Sequence, residues 1–175
     1  SLVRRVAVIS AADAAGYGDF CDQLLHNRFG YAFHTQLYPA VMQGDTAAKS
    51  IIQALTSIAE QEEEWDVVVI IRGGGATTDL SCFDDYMLAS HCAQFPLPII
   101  AGIGHTRDVS VVDMVVHSSV KTPTAAAEWL IERVAKQVER LNLLLIRLQR
   151  ATQGLVTRQQ NQLMLYEQRI KNGAY

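Results

Sequence analysis

"WDVVVIIRGGG", residues 65–75, decides the fold. Val67 to Ile71 form an unbroken run of β-branched aliphatics with no polar alternation. Such a run reads as a strand covered on both faces, as strands of parallel sheets are. Three glycines stand at its carboxyl end. Adjacent glycines cost backbone entropy on folding, and a plain turn rarely needs all three, so this backbone is arranged for something to come close to it.

Three other segments read the same way: "VAVIS" (6–10), "YAFHTQLY" (31–38) and "LPIIAGI" (97–103). Between the four lie stretches of helical period at 14–29, 45–64 and 83–93, with Asp45 placed to cap the second. Strands alternating with helices make βαβ units, which wind right-handedly into a parallel sheet. Residues 1–121 are therefore expected to form an α/β core, a small parallel, Rossmann-like sheet of about four strands flanked by helices. Such sheets take ligands at the carboxyl ends of their strands. Ala14–Gly18, Gly73–Gly75 and Gly102–Gly104 all fall at that edge.

From Thr122 the pattern changes. Thr122 is an N-cap and Pro123 sits at the first helical position, where its missing donor is harmless. Ile131, Val134, Val138, Leu141, Leu145 and Leu148 then recur at alternating three- and four-residue steps, a coiled-coil seam. The register falters through "ATQGL" and resumes at Val156, Leu163, Tyr166 and Ile170. Residues 122–175 are expected to be one long helix, with up to about 50 helical residues spanning about 75 Å at 1.5 Å per residue, the start of a coiled coil that continues past residue 175. The alternative is a helical hairpin breaking at Gly154.

The 175 residues are 49% hydrophobic and 19% charged, enough to bury a core. No apolar run is long enough for a membrane span or shaped as a secretory signal. Cys21, Cys82 and Cys92 are odd in number and lack CxxC spacing, which argues against disulfides and structural zinc and for a reducing cytoplasm. Residues 1–125 carry 7 Lys and Arg against 14 Asp and Glu, a net of −7; residues 126–175 carry 8 against 4, a net of +4. An acidic body rules out broad cationic capture of nucleic acid. A polyanion must be held by a few placed groups, or with help from the tail or another domain.

Those groups are few. Successive glycine amides after a strand make a nest of donors for an anion, and Arg72 adds a bidentate grip on phosphate. No GKS or GKT follows and the spacing is not GxGxxG, so neither a P-loop nor a dinucleotide site is indicated. In "GIGHTRDVSVVD" (102–113), His105 stands at the lip of the sheet with the pKa range of a general acid or base. Asp108, three residues on, is placed to orient His105, position water, hold a metal or cap a helix. Asp113 lies further along. After the first strand, Asp13 and Asp19 are both candidate carboxylates, and the spacing does not choose between them. His26, His34, His91 and His117 have no partners at telling spacings and read as surface or packing residues. An arginine, a histidine and carboxylates around an anion nest suit phosphodiester cleavage. No Ser or Cys sits in a nucleophile elbow, which disfavours acyl transfer.

Five motifs, in order, resemble the exonuclease VII large-subunit family: "AVIS" with Asp19 downstream; "YPAVMQGDTAAKSIIQAL", where Pro39, Gln43, Gly44 and Ala47 match the family's P-x-x-VQG-x-x-A segment; "VVVIIRGGGATTDLSCFDD"; "PIIAGIGHTRDVSVVD"; and "TPTAAAE". The resemblance covers about residues 3–130. It implies hydrolysis of single-stranded DNA from its ends to short oligonucleotides, with Asp19, Arg72, His105 and Asp108 as catalytic positions, which favours Asp19 over Asp13. It implies phosphate binding by Arg72, Gly73, Gly74 and Gly75, and a Mg2+ for which Asp19, Asp108 and Asp113 are candidate ligands. It also implies a small subunit bound along the coiled coil, self-association through the C-terminal helix, and an OB-fold that precedes this region in the family and is absent from these 175 residues. The chain departs from the family at Ala76, Thr78, Ser81, Thr106, Arg107, His117 and Ser119, losing three acids and putting metal use in question. The competing expectation is a non-catalytic oligomeric scaffold that binds phosphate or nucleic acid.

Overall fold

The computed structural model describes residues 2–73, 80–104 and 109–173. Five parallel strands, β1 (Arg5–Ser10), β2 (His34–Pro39), β3 (Val67–Ile71), β4 (Ile99–Gly102) and β5 (Ser118–Ser119), form one sheet in the order β2-β1-β3-β4-β5. Helices α1 (Ala15–Leu25), α2 (Ala47–Ala59), α3 (Tyr86–Ala93) and α4 (Val111–Val115) connect them, and α5 (Pro123–Asn172) follows. The expected α/β architecture is the observed one, with one strand more than anticipated. β5 is two serines paired to Ile100 and Ala101, so no apolar run marks it.

The β3 run is apolar throughout because both of its faces are covered. Val67, Val69 and Ile71 join Val6, Val8 and Ile100 against Phe20 and Leu24 of α1 and Ala126, Ala127, Leu130 and Ile131 of α5. Val68 and Ile70 join Ala7, Ile9 and Ile99 on the other face, against Ile51, Leu55 and Ile58 of α2 and Leu88 and Cys92 of α3. The period of two sends alternate residues to opposite helical layers. Each fully buried Leu or Ile here contributes about 1.5–3 kcal/mol relative to exposure. Cys21, Cys82 and Cys92 are all free thiols; burial pushes Cys92 up to about 12, which leaves it unreactive near neutrality.

The central strand pair is pinned at its amino end by Asp66. Its Oδ2 accepts from the amides of Arg4 and Arg5, both at 2.9 Å, and its Oδ1 pairs with the Arg5 guanidinium at 2.9 Å. Partial burial alone would raise the Asp66 carboxyl, but the hydrogen bonds from Arg5 and the two amides outweigh it and hold it below its ordinary value. A carboxyl depressed in the folded state stabilises above its unfolded pKa and loses that contribution as pH falls through the folded value. Asp66→Asn is therefore expected to unfold at lower urea than the parent at pH 7, with the difference shrinking below about pH 4. Urea midpoints at pH 7 and pH 3 check this; an equal gap at both would remove the carboxylate from the account.

Helix boundaries follow local chemistry. Asp85 caps α3 by accepting from Leu88 N at 2.8 Å. Thr122 caps α5 as expected, accepting from Ala125 N at 3.1 Å, with Pro123 first in the helix. Asp45 does not cap α2: the helix starts one residue later than that reading requires, with Thr46 at the N-cap and no side-chain hydrogen bond.

The chain divides into two compact units, Ser1–Val134 and Ala135–Tyr175. In the first, Ile131 and Val134 of the expected seam are buried, Ile131 with the sheet. In the second, Leu141, Leu145, Leu148, Val156, Leu163 and Ile170 are exposed along α5. The helix runs unbroken through Gly154, so the hairpin alternative is not what forms. Among the described residues no helix is long and apolar enough to cross a membrane.

A candidate anion site at the carboxyl edge of the sheet

α1 leaves β1 toward one face of the sheet and α3 leaves β3 toward the other. With this strand order, the two connections diverge between β1 and β3 and open a crevice at the carboxyl ends, where sheets of this kind bind ligands. A cleft of about 610 Å3 lies there, bounded by the ends of β1, β2 and β3 and by the first residues of α1.

Arg72 and Gly73 line it. Arg72 directly follows β3 and its amide donates to Gly102 O at 3.2 Å, which sets the β3 and β4 ends side by side. The residue is only 9% exposed. Buried guanidinium groups are retained only where polar or anionic groups meet them.

The start of α1 adds a second electropositive element. Its N-cap is Ala14, which offers no side-chain hydrogen bond, and its first turn holds no acid. The leading amides of a helix have no intrahelical partner and carry the positive end of its dipole. Ala14 and Ala15, both small, line the cleft. The helix can come this close because residue 16 is glycine: a Cβ there would lie 2.9 Å from Gly73 Cα and 2.8 Å from Pro123 Cγ. A buried cation, an uncapped helix start and a closely approached backbone make an anion cradle, and phosphate suits it.

The expected site residues fall as follows. Arg72 and Gly73 are at the cleft. Gly74, Gly75, His105 and Asp108 lie outside the described residues. The helix start that faces Gly73 is that of α1. Asp19 is exposed on α1 and does not line the cleft, and Asp13 is exposed in the turn before that helix. Asp113 is engaged: its Oδ2 accepts from Ser110 N at 3.0 Å and Ser110 Oγ at 2.8 Å in a capping box, and its Oδ1 accepts from Ser119 Oγ at 2.6 Å. Among the described residues no three His, Cys, Asp or Glu side chains cluster so as to hold a metal ion. With Asp113 committed, the described donors do not by themselves fit a Mg2+ site.

The remaining histidines are surface and packing groups, as expected. His34 stacks on Trp65 with ring centroids 5.9 Å apart, His117 meets Trp129 edge-on at 6.0 Å, His26 pairs with Asp22, and His91 Nδ1 lies 2.7 Å from Met87 O.

Two positioning residues escaped the sequence reading. Asp84 Oδ1 accepts from Val111 N at 2.9 Å, tying the 3-10 turn to the start of α4. Ser50 Oγ accepts from Val41 N at 3.0 Å and fixes the chain after β2 along the cleft. The adjacent acids of "CFDD" were the available signal for the first; an internal helix serine offers none for the second.

The family model described as exonuclease VII, large subunit, matches residues 1–174. The chain is 35% identical over 167 residues to the exodeoxyribonuclease 7 large subunit of Nostoc sp., covering 95% of this chain and 40% of that protein. It is 34% identical to that of Lactobacillus helveticus, covering 96% and 36%, and 37% identical to that of Cyanothece sp., covering 95% and 38%. It thus spans less than half the length of these curated relatives. Among solved structures, the lysine decarboxylase LdcF of Francisella novicida aligns at a TM-score of 0.39 and 7% identity over 78% of this chain and 18% of that one, too weak a likeness to carry an argument.

Proposed function

The chain belongs to the exonuclease VII large-subunit family, and on that premise we propose that it is the core of a nuclease that hydrolyses phosphodiester bonds of single-stranded DNA from its ends to short oligonucleotides. The observation that carries this reading is the buried Arg72 beside Gly73 and the uncapped start of α1, at the sheet edge where the strand order reverses.

In this proposal Arg72 and the amides of Gly73, Gly74 and Gly75 hold the scissile phosphate. The guanidinium neutralises the charge that builds on its oxygens as water attacks phosphorus and the bond to the leaving sugar oxygen breaks. His105, which follows Gly104 in the chain, moves the proton. Asp108 orients His105 or the water; Asp19, exposed on α1 and not in the cleft lining, takes no part in these steps. Mg2+ is part of the proposal only as a requirement to be tested, with Asp19 and Asp108 as the carboxylates left to receive it; no step above depends on it. The exposed leucines of α5 are proposed to dock the small subunit and to support self-association, and the free thiols suit a cytoplasmic location.

The test uses the full-length protein co-expressed with the small subunit. End-labelled single- and double-stranded DNA is digested in Mg2+ and in EDTA. His105→Ala or Asp108→Asn is expected to lower single-strand shortening by about 10²–10⁴-fold, the range for loss of a general acid–base, while thermal melts stay near the parent's. Unchanged shortening in either variant removes these residues from the site. Binding without shortening by the parent leaves a nucleic-acid-binding scaffold instead.

A further inference from the structure

The motif carried by Pro39, Gln43, Gly44 and Ala47 takes no part in the chemistry above, yet it builds a wall of the same cleft. Pro39, Val41, Met42 and Gln43 line it together with the start of α1, Arg72 and Gly73. The wall is held in place before any ligand arrives. Ala40 N donates to Ser10 O at 2.9 Å and Val41 N to Ser50 Oγ at 3.0 Å. Gly44 turns the chain with φ +76, a conformation that favours glycine, and Ala47 is fully buried at the head of α2.

Apart from Arg72, the described residues that wall the cleft are alanines, a glycine, a proline, a valine and a methionine, with Gln43 and Ser50 as the other polar side chains among them. A phosphate belongs at the Arg72 end and not against that apolar surface. What continues from a bound phosphate into the cleft must therefore present largely apolar faces with a hydrogen-bonding edge. A nucleobase does this: its ring faces pack on apolar side chains, and its edge pairs with an amide that both donates and accepts. The volume of about 610 Å3 is within the range of small-ligand sites.

We infer that the Pro39–Gln43 wall seats the base of the nucleotide adjoining the phosphate gripped at Arg72, with Val41 against the ring face and Gln43 at its edge. The inference rests on the nuclease reading of this site. Seating a base there requires it to leave the stack of its neighbours, which single strands permit at low cost and duplexes do not; the wall would thus contribute to preference for single strands. With no aromatic side chain in it, it would select weakly among the four bases.

The experiment compares oligothymidylate with an oligomer of equal length and phosphate count whose terminal residues are abasic, using the full-length protein with the small subunit. The parent is expected to favour the base-bearing substrate by about tenfold in kcat/KM, from burial of the ring face on apolar side chains. Val41→Asp and Gln43→Ala are each expected to shrink that ratio toward one. Val41 is 47% exposed and Gln43 is exposed, so the fold is expected to tolerate both, which thermal melts check. The same pairs are titrated by fluorescence anisotropy in EDTA. If the parent cuts neither substrate but still binds the base-bearing one more tightly, and the variants erase that difference, the nuclease reading fails and the base seat stands. A parent with no preference, or a preference intact in both variants, overturns the base seat.

Discussion

Replacing Arg72 with alanine in the full-length protein, assembled with the small subunit, is expected to lower kcat/KM for single-strand shortening by about 10²–10³-fold. Arg72 is only 9% exposed, so its field at a bound phosphate is screened less than that of a surface arginine. Its stem leaves the end of β3, inside the sheet, which limits how far it can swing. Arg72→Lys keeps the charge but loses the planar fork that matches two phosphate oxygens and is expected to fall between parent and alanine. Single-turnover cleavage of end-labelled DNA separates the three, with melts to show that the core survives. Parent-like rates in both variants would take Arg72 out of the chemistry.

Gly16→Val is the second large effect, and it acts on stability and activity together. A Cβ at residue 16 has its closest neighbours at 2.8 Å and 2.9 Å, a proline ring carbon and a backbone Cα. Neither can rotate aside as the tip of a flexible side chain would. Overpacking of this kind costs about 1–3 kcal/mol, and in a chain of this size each kcal/mol lowers Tm by about 2–4 °C. The displaced Gly73 carries Arg72 with it, and a misplacement of about 1 Å at a reacting centre costs about 10²-fold in rate. Gly18, in the same helix, is the control. Nothing lies within 4 Å of a Cβ there, so Gly18→Ala is expected to gain up to about 1 kcal/mol from helix propensity. Equal melting of Gly16→Val and the parent would show that α1 does not approach Gly73 as described.

These two positions also show where the sequence was informative. The Val67–Ile71 run located β3 because burial on both faces leaves a plain compositional trace. Thr122 and Pro123 located the start of α5 because capping is local chemistry. Gly16 lay within a glycine-containing stretch already read as sheet edge, but what it makes room for, Gly73 and Pro123, is distant in the chain. β5 was invisible since two serines have no period to detect. Ile131 and Val134 keep heptad spacing while serving the sheet, because one helical stripe suits either partner. Asp113 carried the same ambiguity: its spacing fits a ligand, but Ser110 and Ser119 claim its oxygens. His105 and Asp108, the residues on which the proton transfer rests, were named from pattern and resemblance, and their variants are the direct test.

The placement of β1 between β2 and β3 has a consequence for biosynthesis. Arg5 and Asp66, which fasten the two central strands, are 61 residues apart. At roughly 5–20 residues per second, ribosomes deliver the second about 3–12 s after the first. Until then β1 has β2, α1 and α2 beside it but lacks its β3 neighbour, and a non-local pairing of this kind closes slowly even once both halves exist. The nascent chain is therefore most exposed to mispairing and to chaperone capture before its middle third emerges.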